Sequence, residues 1–133
     1  EWTKNLGDDT QNPDPNPHDL VFVDDANKAY LLMMNEHEQW LVRPDAPSAS
    51  NFRDVGSLDL SGYAVGKSGD KQPAKAHTGV IVDNLLFVAM QRWYRDGQVT
   101  KYAPAFVAVF DISEWGAEEE IETGLSAGTG NGN

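Results

Sequence analysis

The sequence contains no cysteine among its 133 residues, which excludes a thiolate zinc site, a redox dithiol and a disulfide framework. Basic residues are few: ten Lys and Arg stand against 21 Asp and Glu, for a net charge of −11. Such a surface repels phosphate backbones and argues against nucleic-acid binding. No apolar run approaches the ~20 residues that cross a membrane as a helix. The longest, Ala29 to Met34, fits a buried strand. The 3.6-residue apolar period of a long helix is missing, so helix is limited to a turn or two, near Ser113 to Ala117. Ser48, Ser50, Ser57, Ser61 and Ser113 stand in no G-x-S-x-G elbow, and no G-x-G-x-x-G opens a helix. No pair of carboxylates is set apart for acid–base work. The sequence as given does not open on the basic, apolar and small-residue order of a secretory leader.

What the sequence does have is a repeat. PHDLVFVDDANKAYLLMM, from Pro17 to Met34, returns from Ala76 as AHTGVIVDNLLFVAMQ, with one two-residue gap in the turn. His18 falls on His77, an offset of 59 residues, and Val21, Val23 and Asp24 fall on Val80, Val82 and Asp83. Beyond the gap Asn27 falls on Asn84, Tyr30 on Phe87 and Met33 on Met90. A repeat of this kind implies two stacked copies of one supersecondary unit. A hydrophobic content of 40% suffices for one modest core.

Residues 1–16 alternate Asn, Asp and Pro and predict an extended acidic arm, anchored by Trp2 and Leu6. Asp8, Asp9, Asn12, Asp14 and Asn16 offer oxygen ligands for calcium, without the spacing of an EF-hand loop. A solvated acidic loop is the simpler account of them. The first repeat, 17–61, predicts strands at Asp19–Val23, Lys28–Met34, Gln39–Val42 and Val55–Leu60. A turn over residues 24–27 makes the first two a β-hairpin. Near-continuous apolar character in these strands predicts cover on both faces. Residues 62–75, dense in Gly, Ser and Lys, read as a linker. The second repeat, 76–124, predicts strands at Thr78–Val82, Leu85–Met90, Ala105–Ile112 and Glu118–Thr123, with residues 91–104 as a loop. Residues 125–133 form a Gly/Asn-rich tail.

Phe106-Val107-Ala108-Val109-Phe110-Asp111-Ile112-Ser113, followed by Glu120-Ile121-Glu122-Thr123-Gly124, resembles half of a YVTN-type repeat. Lys28-Ala29-Tyr30-Leu31-Leu32-Met33-Met34-Asn35 and Leu86-Phe87-Val88-Ala89-Met90 resemble its other half. That family, quinoprotein-like in fold, comprises secreted bacterial β-propellers of about seven four-stranded blades. The resemblance implies an all-β fold of two consecutive four-stranded antiparallel propeller-type blades, a partial β-propeller. Arg43-Pro44-Asp45 departs from the pattern where the first copy should carry a ViD-like turn. Two blades do not close a ring, so further blades or other chains are implied.

The resemblance also sets His18 and His77 at the opening of the innermost strands, beside a central channel. There two neutral imidazoles could bind copper, zinc or another transition metal, or could simply hydrogen-bond neighbouring loops. Met33, Met34 and Met90 fit core packing better than soft-metal ligation. Arg92, Trp93, Tyr94, Arg95 and Tyr102 form an aromatic and basic group suited to an interaction surface or to packing between blades. Trp40 and Trp115 read as structural, and Glu118-Glu119-Glu120 as a solvated strand edge.

The function expected is that of a non-enzymatic extracellular or periplasmic binding or scaffold module. It would take a protein partner, other blades or further copies of itself, and no resident cofactor. The alternative is a portion of a metal- or cofactor-containing propeller enzyme with His18 and His77 at the channel. A third is subunit packing in a larger surface assembly.

Overall fold

The computed structural model describes residues 1–10, 12–23 and 27–121. It is all-β apart from one short helix, α1 (Leu6–Thr10), and two single 3-10 turns. The first repeat folds as four antiparallel strands: β1 (Pro17–Val23), β2 (Lys28–Met33), β3 (Glu38–Val42) and β4 (Arg53–Asp59). They lie in the order β1-β2-β3-β4, each paired with its chain neighbour. The second repeat supplies β7 (Ala76–Val82), β8 (Leu85–Met90), β11 (Phe106–Asp111) and β12 (Glu119–Glu120), in the order β7-β8-β11-β12. Neither sheet closes on itself. The expected turn at residues 24–27 falls mostly outside the described residues, as do residues 122–133 with the expected tail.

Side chains alternate across a strand, so each sheet has two faces. Val21, Tyr30, Leu32, Leu41 and Leu58 of the first sheet meet Leu86, Val88, Met90, Phe106, Ala108 and Phe110 of the second in one shared core. Ala29, Leu31, Met33, Trp40 and Val42 line the reverse face of the first sheet, beside Leu20 of β1, and Leu6 and Phe52 pack against them. β2 is thus buried on both faces, as its unbroken apolar run predicts.

The second sheet is different. β8 reads Leu-Leu-Phe-Val-Ala-Met, equally apolar, yet its burial alternates residue by residue. On one of its faces Leu85, Phe87 and Ala89 are only half-buried.

The polar segments hold more structure than their composition suggests. Residues 62–75, expected as a linker, contain the hairpin β5 (Val65–Lys67) and β6 (Asp70–Gln72). Residues 91–104, expected as a loop, contain β9 (Trp93–Asp96) and β10 (Val99–Tyr102). Each hairpin turns at a glycine with positive φ, 84° at Gly69 and 62° at Gly97, a conformation that costs glycine nothing. The Gln72 side chain joins the two hairpins by donating to the Arg95 carbonyl and accepting from its amide. Ser113–Ala117, where a helical turn was expected, forms turns only. The arm is not extended throughout: residues 6–10 coil into α1, where the Thr10 hydroxyl donates to the Leu6 carbonyl. The Trp2 indole donates to the Ala46 carbonyl at 2.9 Å and its ring meets Phe52 edge-on.

Candidate docking face and histidine pair

The repeat reaches the level of single hydrogen bonds. The Met34 amide donates to Asn16 and the Asn35 amide to Pro15. One repeat later Gln91 donates to Lys75 and Arg92 to Ala74. Asn16 and Lys75 are equivalent, and both have a positive φ, 53° and 62°. A kink of this kind at a non-glycine residue is held by its surroundings, here by the paired amides on either side.

Directly after each kink the strand bulges. The β1–β2 register shifts between Pro17 and Asp19, and the β7–β8 register between Ala76 and Thr78. The residue left over at each bulge is a histidine. Bulges re-aim side chains, and these two bring His18 and His77 together with ring centroids 4.6 Å apart and planes tilted by 49°. His18 is exposed and His77 half-buried, and the His77 Nδ1 is enclosed without a hydrogen-bond partner among the described residues. The two imidazole rings are therefore in contact. No third ligating side chain joins them: among the described residues no group of three or more His, Asp or Glu could hold a metal ion.

The residues that follow lock the sheets together. Asp19 Oδ2 accepts from the Thr78 hydroxyl at 2.9 Å and from the Gly79 amide at 3.0 Å. A Cβ added at Gly79 would lie 2.9 Å from Val21 Cγ2 and 3.2 Å from Leu32 Cδ1, so the first sheet sits directly on the bare backbone there.

The less covered face of the second sheet carries Thr78, Val80 and Val82 on β7, Leu85, Phe87 and Ala89 on β8, and Val107 and Val109 on β11; it is open at β7, while Val109 is buried. Val80 and Val82 are 56% and 54% exposed. Thr78, Val80, Phe87, Ala89 and Val107 line a shallow apolar groove of about 210 Å³. By the repeat, Val80, Phe87 and Ala89 stand where Val21, Tyr30 and Leu32 stand in the first sheet. Those three are buried against the second sheet. In the sequence Val80 and Phe87 stand out only as strand residues of the repeat, Phe87 also within the YVTN-like segment. What could have marked them is that the equivalent face of the first repeat is covered by the second repeat, and the sequence given holds no third copy to do the same for the second.

The aromatic and basic group divides. Arg92 donates to the Tyr63 and Pro104 carbonyls and stacks on Phe106 at 3.8 Å, which makes it a tie between segments. Burial lowers its pKa. Trp93 lies under the Lys75 ammonium at 4.3 Å, and burial pushes the pKa of that ammonium down. Arg95 bonds within its own hairpin, to Thr100 and Gln98. Tyr94 pairs with Lys101 across the hairpin, and Tyr102, opposite Trp93, is 77% exposed.

The acidic residues of the arm are dispersed. Asp9 pairs with Lys4, and the Asn12 side-chain amide donates to the Asn35 carbonyl and the Glu36 carboxylate. A second concavity of about 490 Å³, lined by His37, Glu38, Asp59, Ser61 and Lys71 among others, mixes charges of both signs. There Ser61, through its hydroxyl and amide, holds the Asp59 carboxyl below its ordinary range.

Comparison with protein-family models, with curated proteins and with solved structures gave no match in any of the three. Among the described residues no helix is long and apolar enough to cross a membrane.

Proposed function

We propose that this chain is a non-enzymatic binding or scaffold module made of two propeller-type blades of the YVTN kind, working in an extracellular or periplasmic setting through protein contacts. One observation carries the reading: the open face of the second sheet repeats, position by position, the face that the first sheet buries. An apolar patch of this sort marks an interaction site. The acidic, Lys-poor composition and the YVTN-like segments support the setting and the blade type.

The test uses the apolar dye anilinonaphthalene sulfonate and the variant Val80→Asp. The chain should bind the dye, and Val80→Asp should reduce binding while the melting temperature stays put. A variant that melts like a core substitution, or a chain that binds no dye, would remove the basis of the reading.

A second reading is favoured by the His18–His77 pair: two imidazoles 4.6 Å apart, one nitrogen enclosed without a partner. This arrangement suits a borderline metal such as copper or zinc with open positions, in a portion of a metal-containing propeller enzyme. Calorimetric titration with Cu²⁺ and Zn²⁺ should then show near-stoichiometric binding that is lost in His18→Ala/His77→Ala. Equal heats from both chains would dismiss it.

A further inference from the structure

The two reverse faces of the molecule are not alike, and the difference says what can occupy the open one. Resting on the reading above, we infer that the Val80–Phe87–Ala89 face is the seat of one further four-stranded sheet that carries glycine opposite Val80. We infer also that a second copy of this chain does not fit it.

The interface inside the molecule supplies the pattern. Val21, Tyr30 and Leu32 receive a sheet whose second strand presents Leu86, Val88 and Met90 and whose first strand presents Gly79. Close approach requires that glycine, because a Cβ there would lie 2.9 Å from Val21 Cγ2. Carried forward by one repeat, Val21 becomes Val80 and the incoming strand again needs a residue without a side chain. A polar group stands at the receiving position in both repeats, but not the same one. Asp19 accepts the hydroxyl and amide of the incoming strand; Thr78, in the same place on the second sheet, gives its proton to Asp19 and keeps only its oxygen lone pairs for an incoming donor.

Among the described residues, the comparable face that this chain could offer to a second copy is the reverse of its first sheet, Ala29, Leu31 and Met33, equivalent to Leu86, Val88 and Met90. Two features close it. Leu20 stands at the position of Gly79 and packs on that face, so its side chain would meet the neighbour's Val80. The arm covers the face as well, through Leu6 and through Trp2 on Phe52. The reverse face of the first sheet is therefore occupied by the arm, and the Val80 side of the second sheet is exposed.

The experiment appends a third sheet to the full chain. Residues 74–121 are repeated once after Asn133, with Val80→Asp in the added copy so that only the original face can bind the dye. Docking should abolish dye binding at the original face and raise the melting temperature. Replacing the glycine of the added copy, the counterpart of Gly79, with Leu should restore dye binding at unchanged strand content by circular dichroism. Dye binding that persists with the glycine in place would overturn the inference, whether the added copy folds elsewhere or not at all. So would docking that tolerates Leu. Sedimentation of the unmodified chain should show a monomer, and a dimer dispersed by Val80→Asp would assign the face to a second copy instead. A chain that never binds the dye would instead undo the reading of an open face on which this inference rests.

Discussion

Asp19 binds its own counterpart. Its Oδ2 accepts the hydroxyl of Thr78, the residue 59 positions later that occupies the same place in the second repeat, and the Gly79 amide beside it. One carboxylate oxygen therefore holds two donors across the junction of the sheets. Asp19→Ala removes both bonds and leaves the Gly79 amide facing an apolar side chain. A loss of about 1–3 kcal/mol is expected for a charged acceptor of this kind. Thr78→Ala removes one bond and should cost less. In a double-mutant cycle by urea unfolding the two changes should couple, because they share a partner. Strict additivity would show that Asp19 acts elsewhere.

Gly79 is the tightest point of the same junction. Its φ is not in the left-handed region, so the demand for glycine there is steric. Gly79→Ala would set a methyl 2.9 Å from Val21 Cγ2 and 3.2 Å from the Phe87 carbonyl oxygen. Overpacking of this degree costs about 1–3 kcal/mol. Val21→Ala in the same chain clears the nearest atom, so Gly79→Ala should be better tolerated there than in the parent. If Gly79→Ala costs as much in the Val21→Ala background as in the parent, the contact does not set the spacing of the sheets.

Both of these contacts follow from a repeat that can be read in the sequence, and much of the fold does as well. Apolar runs around Lys28–Met33, Leu85–Met90 and Phe106–Asp111 locate the central strands, and the meeting of His18 with His77 follows from their equal places. The β5–β6 hairpin is hidden because its strands are short and polar; the β9–β10 hairpin is marked by Trp93, Tyr94, Val99 and Tyr102 about Asp96-Gly97, a signal that the charged residues among them obscure. The open face was hidden for a different reason. Periodicity shows which residues share a side of a strand, but cover depends on partners remote in sequence. β2 and β8 are both continuous apolar runs, and only β2 has an arm over its second side. The partners that receive Arg92 and Arg95 are likewise invisible in the sequence, which shows the charge without the carbonyls.

Acid should loosen a second fastening between the halves. The Trp115 indole donates to Asp54 Oδ2 at 2.7 Å, and Arg43 pairs with the same oxygen at 2.8 Å. The Trp115 bond first, then the Val55 amide and Arg43, hold the Asp54 carboxyl below its ordinary value of 3.8 against a smaller opposing effect of burial. A carboxyl whose pKa is lowered on folding stabilises the fold above its ordinary value and loses that contribution as pH falls through the lowered one. Trp115→Phe removes the largest cause. The parent should therefore be more stable than Trp115→Phe near neutral pH, with the gap narrowing as pH falls below the ordinary carboxylate range. A gap that is flat across the acid range would mean that the indole contributes packing against Tyr30 and no charge-linked stability.

The arm is the remaining support, and its role can be separated from that of the strands it covers. Leu6 packs against the cluster of Ala29, Leu31, Met33, Trp40 and Val42, while the Trp2 indole reaches the Ala46 carbonyl. Burying a Leu side chain contributes about 1.5–3 kcal/mol when complete, and Leu6 is only partly buried, so Leu6→Asp should cost toward the lower end. Its second effect distinguishes it from an ordinary core change. With the arm released, the reverse face of the first sheet opens, so dye binding should rise and hydrogen exchange of the α1 amides should quicken. Exchange in β8 and β11 should stay slow, because those strands face the other core. Fast exchange throughout would mean that the arm holds the whole fold together, and unchanged dye binding would mean that Leu6 covers nothing.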